Sequence, residues 1–157
     1  MRRILTTLLL LFAGATTFKV VLAEVFPPRE GEAPRQALEI PPRGEALGVY
    51  YFLVGNKRCS TCRAMEAHTR AAVKERLSKG PAAGKVLFAV VNTERPEFRH
   101  YKEDFRLPST SLVLARYKDG RLLRFVNLNL IWRLARDRKA FLDYVEKEAR
   151  ALLEERP

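Results

Sequence analysis

The chain has 157 residues, 47% of them hydrophobic, enough for the core of one ordinary domain and too apolar for a chain that stays disordered. Its 29 Lys and Arg against 18 Asp and Glu give a formal charge of +11, which points to an anionic partner or a solvated basic face. Two cysteines exclude a multi-disulfide scaffold, and two histidines exclude a histidine-rich metal site.

Met1-Arg2-Arg3 is a basic start, Ile4 to Phe18 is apolar, and Val21-Leu22-Ala23 before Glu24 places small residues where a signal peptidase reads. Lys19 stops the apolar run at about fifteen residues, short of the roughly 20 that span a bilayer, which favours a cleaved export signal over a permanent N-terminal anchor. Arg2-Arg3 is too little for a twin-arginine route. Loss of residues 1–23 removes three basic groups and no acid, leaving +8. The protein is therefore expected outside the cytoplasm, periplasmic or extracytoplasmic, where a nucleic-acid partner is not expected and the charge reads as a solvated face or one near anionic lipid or an acidic protein.

Residues 24–46 carry five of the nine prolines and no sustained period, and read as a tether to a domain over 47–157. From Gly48 the punctuation is regular. Val49 to Val54 is a continuous apolar and aromatic run ending at Gly55-Asn56, the pattern of a strand buried on both faces. Cys62, Met65, Thr69, Val73 and Leu77 then recur at helical steps, with Gly80-Pro81 as the stop. Leu87 to Val91 predicts a second strand, and Thr93 a cap for a short helix through Pro96, Phe98 and Phe105. Ser111 to Tyr117 and Arg121 to Val126 flank Lys118-Asp119-Gly120, a hairpin signal. Phe141, Val145, Ala149 and Leu152 form the stripe of a last helix over 137–155, with Trp132 in its approach. The order β-α-β-α-β-β-α predicts an α/β domain: one mixed sheet with helices on both faces.

The chemically specific feature is Cys59-Ser60-Thr61-Cys62, at the turn from first strand to first helix. A cysteine there meets unpaired backbone N–H groups and the positive end of the helix dipole, both of which stabilise thiolate over thiol. Lys57, Arg58 and Arg63 add charge of the same sign, and Ser60 and Thr61 can donate hydrogen bonds to sulfur. Cys59, at the helix start, is the expected nucleophile, and Cys62, one turn in, the resolving thiol.

Other readings of the pair are weaker. A purely structural disulfide across so short a loop removes little entropy from the unfolded chain. Zinc needs more ligands than His68 and His100 can supply at their spacing, and haem attachment needs histidine where Arg63 stands. Binding of a soft ion, copper(I) or trivalent arsenic, remains the alternative from another class. His68 and His100 read as plain surface histidines; Trp132 and Tyr50-Tyr51-Phe52 read as core, with room for one ring near the site.

The Cys-x-x-Cys at a strand-to-helix turn within this element order resembles the thioredoxin superfamily over residues 48–155. More narrowly, Cys59-Ser-Thr-Cys-Arg63, Val90-Val91-Asn92, Tyr117-Lys118-Asp119-Gly120, Asn127-Leu128 leading to Trp132, and Phe141 to Val145 resemble the small exported thioredoxin-like proteins labelled the nitrophenyl compound nitroreductase subunit ArsF family. The resemblance implies thiol-disulfide exchange by a monomer with protein or low-molecular-weight thiol and disulfide substrates. It also implies a multispanning membrane electron conduit of the cytochrome c biogenesis type as the source of electrons. No cofactor beyond the redox-active Cys59–Cys62 pair is expected, and nitro-group reduction by this chain alone is not, because that chemistry normally uses flavin or iron–sulfur groups. Three departures stand out: Thr110-Ser111 occupy the place of the superfamily's cis-proline, Arg58 replaces an often aromatic residue, and Leu53 stands where an acid is found in thioredoxin. Proton transfer is then left to water or another acid.

Signal cleavage after Ala23 predicts a mature chain beginning at Glu24. N-terminal sequencing or intact mass of the exported protein checks it, and recovery of the chain with Met1 in the membrane fraction would make it an anchored protein.

Overall fold

The computed structural model describes residues 38–55, 59–79 and 85–154; the export segment, most of the tether, Lys57, Arg58 and the Gly80-Pro81 stop lie outside the described residues. Four strands form one sheet: β1 (Glu45–Leu53), β2 (Val86–Asn92), β3 (Ser111–Lys118) and β4 (Arg121–Asn127), in the order β2-β1-β3-β4. β2 runs parallel to β1, whereas β3 is antiparallel to both β1 and β4. Between them come α1 (Ser60–Glu75), the single turn α2 (Tyr101–Asp104), the single turn α3 (Ile131–Leu134) and α4 (Arg138–Glu154), with 3-10 turns at Leu77–Lys79 and Pro96–Phe98. This is the mixed α/β sheet expected from the sequence, and its element order and strand directions make it a thioredoxin-like fold.

β1 sits between β2 and β3, so neither of its edges nor its faces meets water, and eight of its nine residues are buried. Its alternation divides the core. Leu47, Val49, Tyr51 and Leu53 point to one face, under Met65 and Ala72 of α1 and Phe141, Leu142, Val145, Ala149 and Leu152 of α4. Ala46, Tyr50 and Phe52 point to the other, where Tyr101, Phe105, Leu107 and Tyr117 close a largely aromatic layer. Strand residues that pack on both faces are the β-branched and aromatic types in which this segment is rich.

β1 begins at Glu45 rather than Val49, and Leu38 and Ile40, within the stretch read as tether, pack against the aromatic layer. The backbone N–H of Leu38 donates to Tyr101 Oη at 2.8 Å. The hairpin signal resolves as a two-residue turn in which Asp119 (φ 49°) and Gly120 (φ 77°) both take the left-handed conformation that suits the twist of the flanking strands. Asp119 also ties the turn to the start of β1: its N–H donates to the Gly44 carbonyl and its Oδ1 accepts from the Gly44 N–H. Asp137 caps α4 by accepting from Ala140 N at 2.9 Å. No helix among the described residues is long and apolar enough to cross a membrane.

Three readings change. Thr93 caps no helix: its hydroxyl and N–H both donate to the Leu53 carbonyl, tying the ends of β1 and β2. His100 is no plain surface residue, since its side chain is 14% exposed and its ring lies 4.0 Å from that of Tyr101. Trp132 is not core, being 42% exposed. Each depends on what a neighbouring element covers, which local pattern does not contain.

Tyr50 lies over Gly48 on the same face of β1, and a β-carbon built at Gly48 would stand 2.5 Å from the Tyr50 ring. Gly48→Ala must displace a ring that is 1% exposed and packed against Phe52, Phe105 and Tyr117. The expected loss is about 1–3 kcal/mol, the range for overpacked cores, measured by urea unfolding at equilibrium.

Candidate active site

Cys59 is the N-cap of α1, in extended conformation at φ −72° and ψ 160°. Its Sγ accepts a hydrogen bond from the Cys62 N–H at 3.0 Å, so the sulfur takes the place that a serine or aspartate oxygen commonly fills at a helix start. The Cys59 carbonyl accepts from Arg63 N–H at 3.1 Å and begins the helical ladder. Cys59 and Cys62 are joined by a disulfide across a Cα–Cα distance of 5.1 Å. Their environments differ: Cys59 is exposed and Cys62 is buried, at 7% exposure.

The first turn of α1 carries no acid. The positive end of the helix is left to the sulfur, with Arg63 exposed on the same turn; Ser60 is exposed and Thr61 half-buried. On the buried side, Tyr51 Oη donates to the Cys62 carbonyl at 2.8 Å. That bond passes between β1 and α1 inside the core and holds the turn bearing the resolving cysteine against the central strand. Sequence reading assigned Tyr51 to the core on its ring; the signal for this further role is that a buried phenol needs a partner.

The loop before Cys59 leaves β1 through Val54 and Gly55. Gly55 has φ 94°, and its N–H donates to Glu94 Oε1 at 2.8 Å. Lys102 Nζ reaches the same oxygen at 2.7 Å. The hydrogen bond from Lys102, then that from Gly55, hold the Glu94 carboxyl below its ordinary value, so this acid beside the loop stays ionised and has no proton to offer near neutrality. The Leu53 side chain is buried at 6% exposure and has no proton to give.

Thr110 and Ser111 stand at the head of β3, with Ser111 paired to Phe52 across the ladder. Both are buried and both hydroxyls are engaged within the fold: Thr110 Oγ1 accepts from Val54 N–H at 3.2 Å, and Ser111 Oγ donates to Ser109 O at 2.8 Å. Thr110 Oγ1 also donates to Val54 O at 3.4 Å, so its side chain continues the β1–β3 pairing past the last backbone pair. Its carbonyl accepts the indole N–H of Trp132 at 3.0 Å. The structure brings together Cys59, Ser60, Thr61, Cys62 and Arg63 on one helix start and Thr110-Ser111 on the strand end beside β1; Lys57 and Arg58 are outside the described residues. Among the described residues no three His, Cys, Asp or Glu side chains converge as a metal would require.

No family model and no curated protein matches the chain. Among solved structures, it is similar to the Trxlp protein from Edwardsiella tarda EIB202, at 20% identity over 64% of this chain and 81% of that one, with a TM-score of 0.37. It is also similar to Fasciola hepatica thioredoxin, at 19% identity over 64% and 84% of the two chains, with a TM-score of 0.38.

The Glu94 carboxyl is held below the ordinary glutamate value of 4.5, so the stabilisation from its bonds is present above that value and is lost as pH falls through the lower folded-state one. The Gly55 amide resonance is accordingly expected to keep its position as pH is lowered through 4.5 and to move only below it, as a two-dimensional NMR titration will read.

Proposed function

We propose that the chain is a thiol-disulfide oxidoreductase acting through Cys59 and Cys62, and that it works outside the cytoplasm as a reductive carrier. One observation carries the proposal: an exposed cysteine caps the N-terminus of a helix with its sulfur and is bonded to a buried cysteine one turn on.

In the reduced protein, Cys59 Sγ is the reachable sulfur, and the Cys62 N–H, the helix end and Arg63 stabilise it as thiolate. The thiolate attacks one sulfur of a substrate disulfide. A bond forms between Cys59 Sγ and that sulfur, the substrate S–S bond breaks, and the departing sulfur takes a proton from water, since Glu94 is ionised and Leu53 is apolar. Cys62, losing its proton to water, then attacks Cys59 Sγ, re-forms the Cys59–Cys62 disulfide and releases the second substrate thiol. The second departing sulfur likewise takes its proton from water, so two electrons pass from the protein pair to the substrate while the protons are exchanged through water. A dithiol donor must restore the reduced pair; the resemblance of this chain to exported thioredoxin-like proteins suggests a membrane thiol conduit for that role.

A stabilised Cys59 thiolate favours the dithiol form and raises the reduction potential, which suits a carrier that still reduces more oxidising targets. The hydroxyls of Thr110 and Ser111, used inside the fold, support the site by holding the strand end rather than by contacting substrate.

Cys62→Ser should accumulate mixed disulfides through Cys59, resolved on non-reducing gels and identified by mass spectrometry, whereas Cys59→Ser should accumulate none. With a dithiol donor the native protein should reduce a small disulfide. Mixed disulfides through neither cysteine would overturn the reading, and so would purified protein holding a stoichiometric copper(I) or arsenite ion on the pair.

A further inference from the structure

Trp132 is the only tryptophan of the chain, and it stands 42% exposed. Its neighbour Ile131 is fully buried against the core of β1, α1 and α4, so α3 is pinned from below while the indole projects. The ring is not loose: its N–H is committed to the Thr110 carbonyl. Leu130, 41% exposed, stands beside it.

The register places this pair at the cysteine end of the sheet. β1 runs towards Cys59 and ends at Leu53, β3 starts there with Ser111 opposite Phe52, and β4 finishes there with Asn127 opposite Val113. The bonds Val54–Thr110 and Thr110–Trp132 join the strand leading to Cys59 to the indole, and α3 packs on α1.

The segments that meet at this end carry three exposed arginines. Arg63, Arg133 and Arg136 are exposed, and none forms an ion pair with a described residue. Of the carboxylates on these segments, Asp137 caps α4 and Glu94 holds Gly55 and Lys102. A fixed indole with an adjacent leucine, and with exposed arginines on its own segment and on the helix it packs against, is the composition of an interface hot spot.

We propose that Trp132 and Leu130, framed by Arg63, Arg133 and Arg136, are the docking surface for one kind of partner: a protein whose disulfide lies in an apolar segment flanked by acidic residues. This inference rests on the thiol-exchange reading above. The ring supplies contact area at little entropic cost, and the arginines set the sign of the partner and speed its approach.

The test uses the full reduced chain with a dithiol donor, a small neutral disulfide, and two synthetic peptides sharing one apolar disulfide core, one flanked by Asp and Glu and the other by Lys. At low salt, kcat/KM for the acidic peptide should exceed that for the basic one by about tenfold or more, and the gap should shrink as salt is raised. Arg133→Glu with Arg136→Glu should close or invert the gap. Trp132→Ala should raise KM for the acidic peptide by about tenfold, and Trp132→Phe should recover most of that affinity. Binding has a separate readout, since the emission of the single tryptophan should shift when the oxidised protein is titrated with the acidic peptide carrying serine in place of cysteine. Should Trp132→Ala fail to fold, the charge-reversal pair and the emission titration decide the matter. Reduction of all three substrates with no preference between the peptides and no emission change would overturn the docking surface alone, whereas failure of the native protein to reduce any of them would remove the thiol-exchange reading beneath it.

Discussion

The complete burial of β1 is the constraint on which the rest of the structure depends. A strand flanked on both edges and covered on both faces must present apolar groups throughout, and it leaves its neighbours one arrangement each. β2 pairs on one edge and β3 on the other, α1 and α4 cover one face, and the Tyr101–Phe105 aromatic layer covers the other. The chain leaves β1 through Val54 and Gly55, whose N–H groups are held by Thr110 and Glu94. Cys59 follows that point by only a few residues.

The cysteine pair exploits this placement. The outer cysteine meets solvent and a helix N-terminus with no acid in its first turn, while the inner one is held below the surface, its carbonyl bonded to Tyr51 of β1. Rigid elements thus supply what exchange chemistry needs: one sulfur a partner can reach, and a second already within bonding distance of the first. Glu94, paired with Lys102, holds Gly55 where the chain leaves β1.

The same end of the sheet gathers chemistry that lies far apart in the chain. Thr110 reaches across to Val54, and Trp132 reaches back to Thr110, so three segments share a short run of hydrogen bonds at the end of the sheet where β1 stops. An anchored, half-exposed indole with exposed arginines on its own segment gives that end a character of its own.

Much of this was legible in the sequence. The continuous apolar run of β1, the helical stripes of α1 and α4, the Asp119-Gly120 turn and the cysteine motif at a strand-to-helix junction are local patterns, and a local pattern is enough when periodicity or backbone conformation decides the outcome. The exposure of Cys59 against the burial of Cys62 also followed, because the two share one helix face and Cys59 stands at its N-cap, one turn beyond Cys62. Tertiary structure decided the remainder: that Thr93 ties two strands instead of capping a helix, that Tyr51 bonds the Cys62 carbonyl, that Thr110 and Ser111 turn their hydroxyls inwards, and that Trp132 stands half in solvent on the Thr110 carbonyl. Each is a pairing between segments whose separation in the chain carries no period, and whether a ring is covered or a hydroxyl is satisfied depends on which distant element arrives beside it.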